Sequence, residues 1–474
     1  MEFLDRRAFL KISAVTAAAG AVPEVANALS TSGPHGSGLV WTTSGDQRFA
    51  KQPNLQWSAR KISGPAITIN TAKQHQEILG FGAAFTDAAC FTFNRLDPNV
   101  RHDLFTELFA PAQMNLSVSR VCVGSSDYAT KEYSYCEGTE EDPTLSRFSI
   151  DHDREYILPI LKEARAVNPD MWLLASPWSP PAWMKFNKSM LGGCMRRKWL
   201  GVYAQYFDRF LAAYADAGVK INSITSQNEV DTDQDGKMPA CAWPQEYEIE
   251  FVRDHLGPLM AKSPNSADIW ILDHNYNLWG RVMGELEDDK LRSYIKGVAW
   301  HGYAGKPEGM MRVKQAYPSI DNFWTEGGPD FDTPGYETEW TKWGSQITSI
   351  LRNSARCVIC WNYALDEKGK PNIGPFNCAG MVTIDSSTRE ITRGGLYWAM
   401  RHFSTHIPRG SRIVESSGEI ANVSHVAARL PNGSVTAVLT NSAKAPARVS
   451  LTAGTSSAPL TLPPDSVTTL TWAG

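Results

Sequence analysis

The chain has 474 residues and a formal net charge of −4 at pH 7, from 46 Lys and Arg against 50 Asp and Glu. Hydrophobic residues make up 42% and charged residues 20%, which is typical of a globular chain and excludes a mostly disordered one. No stripe of Lys and Arg interleaves with aromatic residues, so the composition argues against nucleic acid as a partner. The length exceeds one average domain, although a (β/α)₈ barrel places about 250 residues around a single core.

Residues 1–28 are predicted to be a twin-arginine signal peptide. The segment 5–11 reads DRRAFLK, a weakly apolar stretch follows at 12–22, and small residues at 26 and 28 stand where a signal peptidase reads. The alternative is a short amphipathic helix. We expect export to the periplasm or the extracellular space. No stable membrane insertion is expected, because no segment reaches about 18 uninterrupted apolar residues.

From residue 78 onward, short β-type runs alternate with helical stretches. The strand candidates are 78–85, 116–123, 171–176, 221–226, 268–273, 297–301, 320–325 and 356–362. The helical stretches include 151–167, 197–217, 244–261 and 337–353. Eight such units close most simply into an α/β fold, a (β/α)₈ TIM barrel, over residues 75–408. The alternative, a doubly wound open sheet, lacks the Gly-rich phosphate loop after its first strand.

The tail of the chain has a different pattern. Residues 435–440 and 467–472 alternate between apolar and polar, with turn signals such as PNG at 431–433 between them. Residues 409–474 therefore predict a β side domain. Residues 46–74, with a strand pattern over 55–69, are predicted to add N-terminal strands to it, so that both termini build one β-sandwich. Residues 29–45, rich in Gly, Ser and Thr, are predicted to be a flexible leader.

The eight cysteines do not form an obvious framework. Twin-arginine substrates cross the membrane already folded, so we expect the fold not to depend on disulfides. Cys357 and Cys360 have the spacing of a zinc or redox pair, but they lie in an apolar run with no second pair at ligand spacing. Buried thiols are therefore the favoured interpretation.

Two glutamates follow strand candidates at the same end of the predicted barrel. Glu229 comes after the fourth strand and Glu326 after the seventh. Active sites of such barrels lie at the C-terminal strand ends, and these two strands occupy roughly opposite arcs of the mouth. We therefore predict that the carboxylates face each other across a sugar, about 5–5.5 Å apart for retention or about 6.5–9.5 Å for inversion. The alternative for either residue is an ordinary helix-start or loop carboxylate.

Five motifs make the chain resemble a known family. They are GFGAAFTDAA at 80–89, SPWSPPAWMK at 176–185, NE at 228–229, RDHLGP at 253–258 and HFSTHIPRG at 402–410. With them the chain resembles glycoside hydrolase family 30 from about residue 50 to its end, and within it the bacterial relatives of lysosomal glucosylceramidase. The resemblance implies a (β/α)₈ barrel with a side β-domain made from both termini. It also implies that no metal or organic cofactor is needed.

The resemblance assigns roles to the two glutamates. It implies that Glu229 is the general acid and base, and that Glu326 is the nucleophile. Arg120 matches the arginine that holds the nucleophile, and Tyr303 matches the tyrosine that donates to it. An acid that works near neutrality needs a raised pKa, whereas a neighbouring cation lowers the pKa of a carboxyl group.

The resemblance also implies a sugar-binding set. Asn228 is expected to hydrogen-bond the 2-hydroxyl of the sugar, a contact that strengthens in the transition state. The residues expected to bind the remaining hydroxyls and the sugar face are Asp127, Trp178, Trp361 and Asn377. The alternative for either tryptophan is plain barrel core. Asp87 and His301 are expected to support these residues from behind.

One position departs from the family pattern. The family usually has proline after the acid/base, whereas Val230 follows Glu229 here and leads into the acidic stretch 231–235. This stretch lacks the ligand pattern of a calcium loop. We interpret it as part of the loop that shapes the aglycone side of the site.

The leading hypothesis is therefore a retaining, exo-acting β-glycosidase, a glucosylceramidase-like enzyme that acts on β-glucosides of carbohydrate or glycolipid type. Alternatives with the same chemistry are a β-1,6-glucanase, a β-xylosidase and a β-fucosidase. The alternative from a different class is a catalytically silent glycan-binding protein. Retention of both glutamates, Arg120 and Tyr303 argues against that class, because a binder needs no nucleophile. The sequence carries no signal for an oligomeric state.

Overall fold

The computed structural model describes residues 34, 36–60 and 62–474. The predicted export signal at 1–28 lies outside these residues and stays a prediction. Within the part of the chain that is described, no helix combines the length and the apolar character that crossing a bilayer requires.

The described chain begins with three strands of a β-domain, continues through a barrel and a small sheet, and returns to the β-domain. The first three strands are β1 (Ser37–Ser44), β2 (Gln47–Gln56) and β3 (Ala66–Glu77). The barrel strands are β4 (Gly80–Phe85), β5 (Val118–Cys122), β6 (Trp172–Ser176), β7 (Ser223–Thr225), β8 (Asp268–Asn275), β9 (Ile295–His301), β10 (Asp321–Glu326) and β11 (Ala355–Cys360). The small sheet contains β12 (Ala364–Leu365), β13 (Val382–Ile384) and β14 (Ile391–Arg393). The last strands are β15 (Arg412–Ser417), β16 (Val423–Arg429), β17 (Val435–Asn441), β18 (Ala447–Ala453), β19 (Ser456–Leu462) and β20 (Ser466–Trp472).

The helices lie mainly between the barrel strands. They are α1 (Asp87–Asn94), α2 (Pro98–Phe109), α3 (Asp151–Glu155), α4 (Ile157–Val167), α5 (Leu200–Asp216), α6 (Gln245–Glu250), α7 (Gly257–Met260), α8 (Trp279–Glu285), α9 (Asp289–Tyr294), α10 (Glu308–Ala316), α11 (Trp340–Arg352) and α12 (Gly395–Ser404). Short 3₁₀ turns occur at Ala182–Met184, Arg197–Trp199, Gln234–Gly236, Tyr276–Leu278 and Tyr336–Thr338.

Strands β4 to β11 pair in parallel and close into a barrel, which confirms the predicted fold class. Closing the barrel requires a glycine at a position where β4 lies very close to β5. A Cβ atom at Gly82 would lie 1.7 Å from the carbonyl oxygen of Val118, so only a residue without a side chain lets β4 approach β5 there. Inside the barrel the rings of Trp270 and Phe323 stack with centroids 3.7 Å apart. The barrel is therefore a filled core and not a pore.

Two predicted helices are broken in the structure. The stretch 151–167 divides into α3 and α4 at Tyr156, whose φ of −145° is not helical. The stretch 244–261 widens into a π-helix over Phe251–Leu256. Pro258 accounts for this, because it has no N–H for the carbonyl of residue 254 and its ring would clash with that carbonyl in a regular helix.

The predicted leader at 29–45 is wrong where it covers β1. Strand β1 lies between β20 and β2, with Val40 opposite Leu470 and Thr42 opposite Thr468. Alternate burial in β1, with Val40 and Thr42 inside, explains why this Ser- and Thr-rich segment forms a strand. The strand prediction over 55–69 is wrong in its middle, since β2 ends at Gln56 and β3 begins only at Ala66.

Both ends of the chain build the side domain, as predicted. Its nine strands follow the order β19-β18-β3-β15-β16-β17-β20-β1-β2. Strands β17 and β20 are buried on both faces. One face packs in the core of the side domain, and helices cover the other: α11 contacts both strands and α12 contacts β20. His402 of α12 fixes the contact, since its two ring nitrogens lie 2.8 and 2.9 Å from the hydroxyls of Thr469 and Thr43.

The cysteines are all unpaired thiols, as the favoured interpretation predicts. Cys357 packs in the cluster inside the barrel, whereas Cys360 packs in the cluster between the barrel and its helices. Residues three apart on a strand point to opposite faces, so this pair does not chelate one ion.

We expect a chain that begins at residue 46 to be less stable than one that begins at residue 36. Removing β1 takes away its pairing with β20 and β2 and the burial of Val40, which together contribute at least about 3 kcal/mol. Thermal unfolding followed by circular dichroism measures the difference. Both chains lack the predicted signal and differ only in β1, so equal melting temperatures would show that β1 does not support the sandwich.

Candidate active site

A cleft of about 550 Å³ lies at the C-terminal ends of the barrel strands. Its lining includes these residues predicted from the sequence: Asp127, Trp178, Asn228, Glu229, Tyr303, Glu326 and Trp361. A larger groove, of about 650 Å³, lies between the barrel and the side domain and holds none of them. The position of the smaller cleft agrees with the end at which barrels of this kind carry their chemistry.

Arg120 of β5 is the centre of the hydrogen-bond network beneath the cleft. Its side chain is fully buried, so its charge needs acceptors on every side. Nη2 donates to Asn228 Oδ1 at 2.8 Å and to Asp273 Oδ2 at 2.7 Å, and Nε donates to Ser176 Oγ at 3.1 Å. Nη1 donates to a carboxylate oxygen of Glu326. One cation therefore holds side chains from four different places around the barrel mouth.

Glu326, the last residue of β10, has a donor on each carboxylate oxygen. Oε2 accepts from Arg120, and Oε1 accepts from the hydroxyl of Tyr303 at 3.1 Å. The ring of Tyr303 is half exposed while its hydroxyl reaches into the cleft. Both donors favour an ionised carboxylate that is fixed in direction.

Glu229 is held differently, in a turn just beyond β7. Its φ is +54°, which a residue with a side chain adopts only when its surroundings enforce it. Its backbone N–H donates to the carbonyl of Asp273 at 3.0 Å, and Gln234 Nε2 donates to its Oε2 at 2.5 Å. Gln234 comes from the acidic loop, so that loop reaches back over the carboxylate.

His301 lies between the two glutamates. Its Nδ1 is 3.4 Å from Glu229 Oε1 and 3.8 Å from Glu326 Oε1, while its Nε2 is 3.0 Å from Asp273 Oδ1. Burial alone would lower the pKa of His301, but these carboxylates raise it to about 9. Because both Oε1 atoms lie close to the same Nδ1 atom of His301, Oε1 of Glu229 and Oε1 of Glu326 are at most about 7 Å apart. This limit allows the carboxylate separation of about 5–5.5 Å that retaining enzymes use.

The pKa order of the glutamates is the reverse of the sequence expectation. Burial raises the pKa of Glu326, and the charges of His301 and Arg120 offset this only in part. Burial also opposes ionisation of Glu229, but His301, His274 and Gln234 outweigh it and lower its pKa. The difference is that the negative charges of Glu229 and Asp273 also raise the pKa of Glu326, whereas Glu229 faces two histidines and an amide donor. Interacting carboxyls titrate as a pair, so the charge on His301 influences which of them holds the proton.

One wall of the cleft consists of two indole rings. Trp178 and Trp361 stack with centroids 5.0 Å apart, and the guanidinium of Arg120 lies 4.7 Å from the Trp178 ring centroid. Asp127 is buried in the same cleft. Its burial raises its pKa well above the usual range, and the negative charges of Glu326 and Glu229 raise it further. The wall offers flat apolar surface beside polar groups, as sugar binding requires.

Comparison with known proteins decides the family. Residues 78–407 match the Glycosyl hydrolase family 30 TIM-barrel domain, and residues 410–470 match the Glycosyl hydrolase family 30 beta sandwich domain. The chain belongs to glycosyl hydrolase family 30. It is accordingly a retaining O-glycoside hydrolase that acts on carbohydrate substrates.

Relatives of this family 30 enzyme carry two kinds of name. The Endo-1,6-beta-D-glucanase neg1 of Aspergillus fumigatus is 28% identical over 400 residues, which cover 78% of this chain and 80% of that protein. The Lysosomal acid glucosylceramidase of Mus musculus is 27% identical over 409 residues, covering 81% of this chain and 78% of that protein. The solved structure of the endo-beta1,6-glucanase BT3312 superposes with a TM-score of 0.85 at 28% identity, covering 93% of this chain and all of that one.

Two predicted site residues of the family 30 enzyme do not line the cleft: Asn377, which was predicted to bind the sugar, and Asp87, which was predicted only to support the site from behind. Asn377 is exposed and donates from Nδ2 to Asp332 Oδ2 at 3.0 Å, while its neighbours Phe376 and Cys378 line the cleft. Successive residues of an extended segment point to opposite sides, so the side chain of Asn377 faces away from the cleft. Asp87 contacts neither glutamate. Its carboxylate accepts from the backbone N–H of Thr130 at 2.7 Å, and so supports the loop that follows Asp127.

Three residues that the sequence reasoning missed complete the site: Asp273, His274 and Gln234. Asp273 accepts from Arg120, Thr225 and Thr325. The charge of Arg120, with smaller contributions from His301 and Thr225, outweighs burial and holds the pKa of Asp273 well below the usual range. The register of β8 shifts between Leu272 and His274, with φ of +73° at Leu272 and +47° at Asp273. The one signal in the sequence was the run LDHN at the end of the fifth strand, where a barrel carries its chemistry.

One group in the described chain has the composition of a metal site. Glu229, His274 and His301 each offer one ligand atom, and these atoms lie within 4.8 Å of one another. The sequence analysis expected no metal, and it did not single out His274.

The raised pKa of His301 predicts a loss of stability as the pH rises. A histidine whose pKa goes from about 6.5 in the unfolded chain to about 9 in the folded one stabilises fully below pH 6.5, and the contribution is lost as the pH passes 9. We expect the difference in unfolding free energy between the wild type and His301→Gln to shrink by on the order of 3 kcal/mol from pH 6 to 9.5.

Chemical denaturation at several pH values measures this difference. His102→Gln, on the exposed side of α2, is the matched control and is expected to differ from the wild type by a constant amount. A pH-independent difference for His301→Gln would mean that His301 is neutral in the folded protein.

Proposed function

We propose that this enzyme hydrolyses β-glucosides by double displacement, with Glu326 as the nucleophile and Glu229 as the general acid and base. The different anchoring of the two carboxylates carries this assignment. Glu326 accepts from a permanent cation and from a phenol, so both of its oxygens are committed as acceptors. Glu229 accepts from the neutral amide of Gln234 at Oε2, and only the Nδ1 atoms of His301 and His274 lie near its Oε1, at 3.4 and 3.7 Å. Oε1 can therefore carry the proton when these rings are neutral.

The reaction then follows in two steps. Glu326 attacks the anomeric carbon while Glu229 gives its proton to the glycosidic oxygen, so that the aglycone leaves as the alcohol and a glycosyl ester forms. Glu229, now ionised, takes a proton from water as that water attacks the anomeric carbon and Glu326 leaves. Two inversions give net retention. Arg120 and Tyr303 stabilise the carboxylate charge that Glu326 regains in the second step.

An exo mode of attack is supported by the closed end of the cleft behind Asp127. The backbone N–H of Ile373 donates to the carbonyl of Asp127 at 2.7 Å, and a Cβ at Gly374 would lie 2.5 Å from the Cβ of Asp127. The hydroxyl of Tyr128 donates to the carbonyl of Phe376 at 2.9 Å. The segment 373–376 therefore packs tightly over this end, which fits a terminal glucose better than an internal one.

The aglycone is proposed to be a sugar or another hydroxylated group. On the Glu229 side the cleft is lined by polar side chains of Asp231, Thr232, Gln234 and Asn277. Hydroxyl groups satisfy such a lining, whereas a lipid chain would leave it unpaired. Export of the enzyme is part of the same proposal and is supported by the twin-arginine sequence alone.

A second candidate is an endo-β-1,6-glucanase. It is favoured by the names of the Aspergillus fumigatus relative and of BT3312. The catalytic steps would be the same, and only the number of sugars accepted beyond the closed end would differ.

Variants that lack either carboxylate are expected to regain turnover with added azide, and each variant should form a different product. Glu326→Gly and Glu229→Ala should each lower the rate by at least about 10³-fold on aryl β-glucosides. Azide should restore turnover of both, with the α-glycosyl azide from Glu326→Gly and the β-glycosyl azide from Glu229→Ala, because the anion occupies the place of the lost carboxylate. Proton NMR of the products reads the configuration. The opposite assignment of products would exchange the two roles.

The substrate is tested with a panel of aryl β-glucoside, xyloside, fucoside and galactoside, together with β-1,6-glucan and glucosylceramide. We expect the glucoside to be hydrolysed fastest and β-1,6-glucan to release glucose from its ends. Early release of longer oligosaccharides would establish the endo-glucanase instead. Equal sugar binding by the wild type and Glu326→Gln, with no turnover of any member, would favour the silent binder.

A further inference from the structure

Two buried histidine nitrogens beside Glu229 have no hydrogen-bond partner among the described residues. They are Nδ1 of His274 and Nδ1 of His301, and the two residues are 6% and 0% exposed. They lie 3.7 and 3.4 Å from Glu229 Oε1. Leaving a buried polar atom without a partner costs roughly 1–3 kcal/mol, so this convergence requires an explanation.

The opposite nitrogen of each ring is held by a carboxylate. His274 Nε2 lies 2.5 Å from Asp231 Oδ1, and His301 Nε2 lies 3.0 Å from Asp273 Oδ1. A carboxylate there keeps a proton on Nε2, so Nδ1 is the nitrogen that faces Glu229 as a ligand atom. On binding, an ion takes the place of the proton that Nδ1 of His301 carries in the charged ring, and this proton is released to solvent. This arrangement of carboxylate, imidazole and open nitrogen is the one that metal-binding histidines use.

The spacing of the three ligand atoms fits a small ion. A tetrahedral Zn²⁺ with bonds of about 2.0–2.1 Å holds its ligand atoms about 3.4 Å apart. The two contacts to Glu229 Oε1, at 3.4 and 3.7 Å, are close to that value, and all three atoms lie within 4.8 Å of one another. Glu229 and His274 line the cleft, so an ion can reach these ligands from the cleft.

We propose that Glu229, His274 and His301 form a reversible binding site for Zn²⁺. Two imidazoles and one carboxylate select zinc and similar transition ions over Mg²⁺ and Ca²⁺, which take oxygen ligands. The bound ion occupies the oxygen of Glu229 that carries the proton. Zinc therefore inhibits turnover, a consequence that rests on the proposed role of Glu229, whereas the binding itself does not.

The direct test is a titration of the full mature protein, without a polyhistidine tag and freed of metal, with Zn²⁺ in a calorimeter. We expect one equivalent to bind, and His274→Gln to weaken the affinity at least about 10-fold. Asp231→Asn, which keeps all three ligands, should weaken it about 10- to 100-fold by releasing the His274 ring. His102→Gln on the surface of α2 is the matched control and should bind as the wild type does.

Cobalt provides a second readout. Co²⁺ in a tetrahedral site absorbs strongly in the visible range, and this band should be lost in His274→Gln. No zinc binding at millimolar concentration, or binding that both His274→Gln and Asp231→Asn leave unchanged, would overturn the proposal. Zinc binding in a protein that turns over no glycoside would uphold the site while the proposed function failed, so the two failures are distinguishable.

Discussion

Burial of the Arg120 charge is the constraint on which the rest of the site depends. A guanidinium with no exposed surface is tolerated only if acceptors surround it, because an uncompensated charge would cost several kcal/mol. Those acceptors come from the ends of β6, β8 and β10 and from the turn after β7. Satisfying one cation therefore sets the relative positions of four strand ends, and the carboxylates are fixed because the barrel could not otherwise hold the charge.

The same hydrogen-bond network maintains an unfavourable backbone conformation at three residues. Glu229, Leu272 and Asp273 all have positive φ, a region that costs on the order of 1–3 kcal/mol for a residue with a side chain. The N–H of Glu229 is tied to the carbonyl of Asp273, and the carboxylate of Asp273 is tied to Arg120. Strain at one glutamate is thus balanced by ion pairing at a neighbouring strand, which aims the Glu229 carboxylate across the cleft toward Glu326.

Much of this was predictable from the sequence, for a simple reason. A buried parallel strand is a continuous apolar run, and the residues after it face the barrel mouth, so Glu229 and Glu326 could be located by counting runs. Arg120 lies inside β5 and was identified only through the resemblance to family 30. The bulge in β8 could not be predicted, because Asp273 within it makes contacts with four other strands, and His274 was missed with it. Asn377 was misplaced because the sequence of a loop has no periodic pattern that shows which side chains face the cleft. Strand β1 was overlooked because its Ser- and Thr-rich sequence is typical of a linker, and its pairing with β20 joins residues far apart in the chain.

The pairing of β1 with β20 also sets the order of events during synthesis. The hydroxyls of Thr42 and Thr468 lie 3.1 Å apart although 426 positions separate them in the chain. At roughly 5–20 residues per second a ribosome needs roughly 20–80 s to make the intervening chain, and β1 has no partner in β20 during that time. The β-sandwich is therefore completed only after β20 has been made, and the barrel segments between its two halves are synthesised before that. A fragment that stops short of β20 leaves the edge of β1 open to pairing with other molecules.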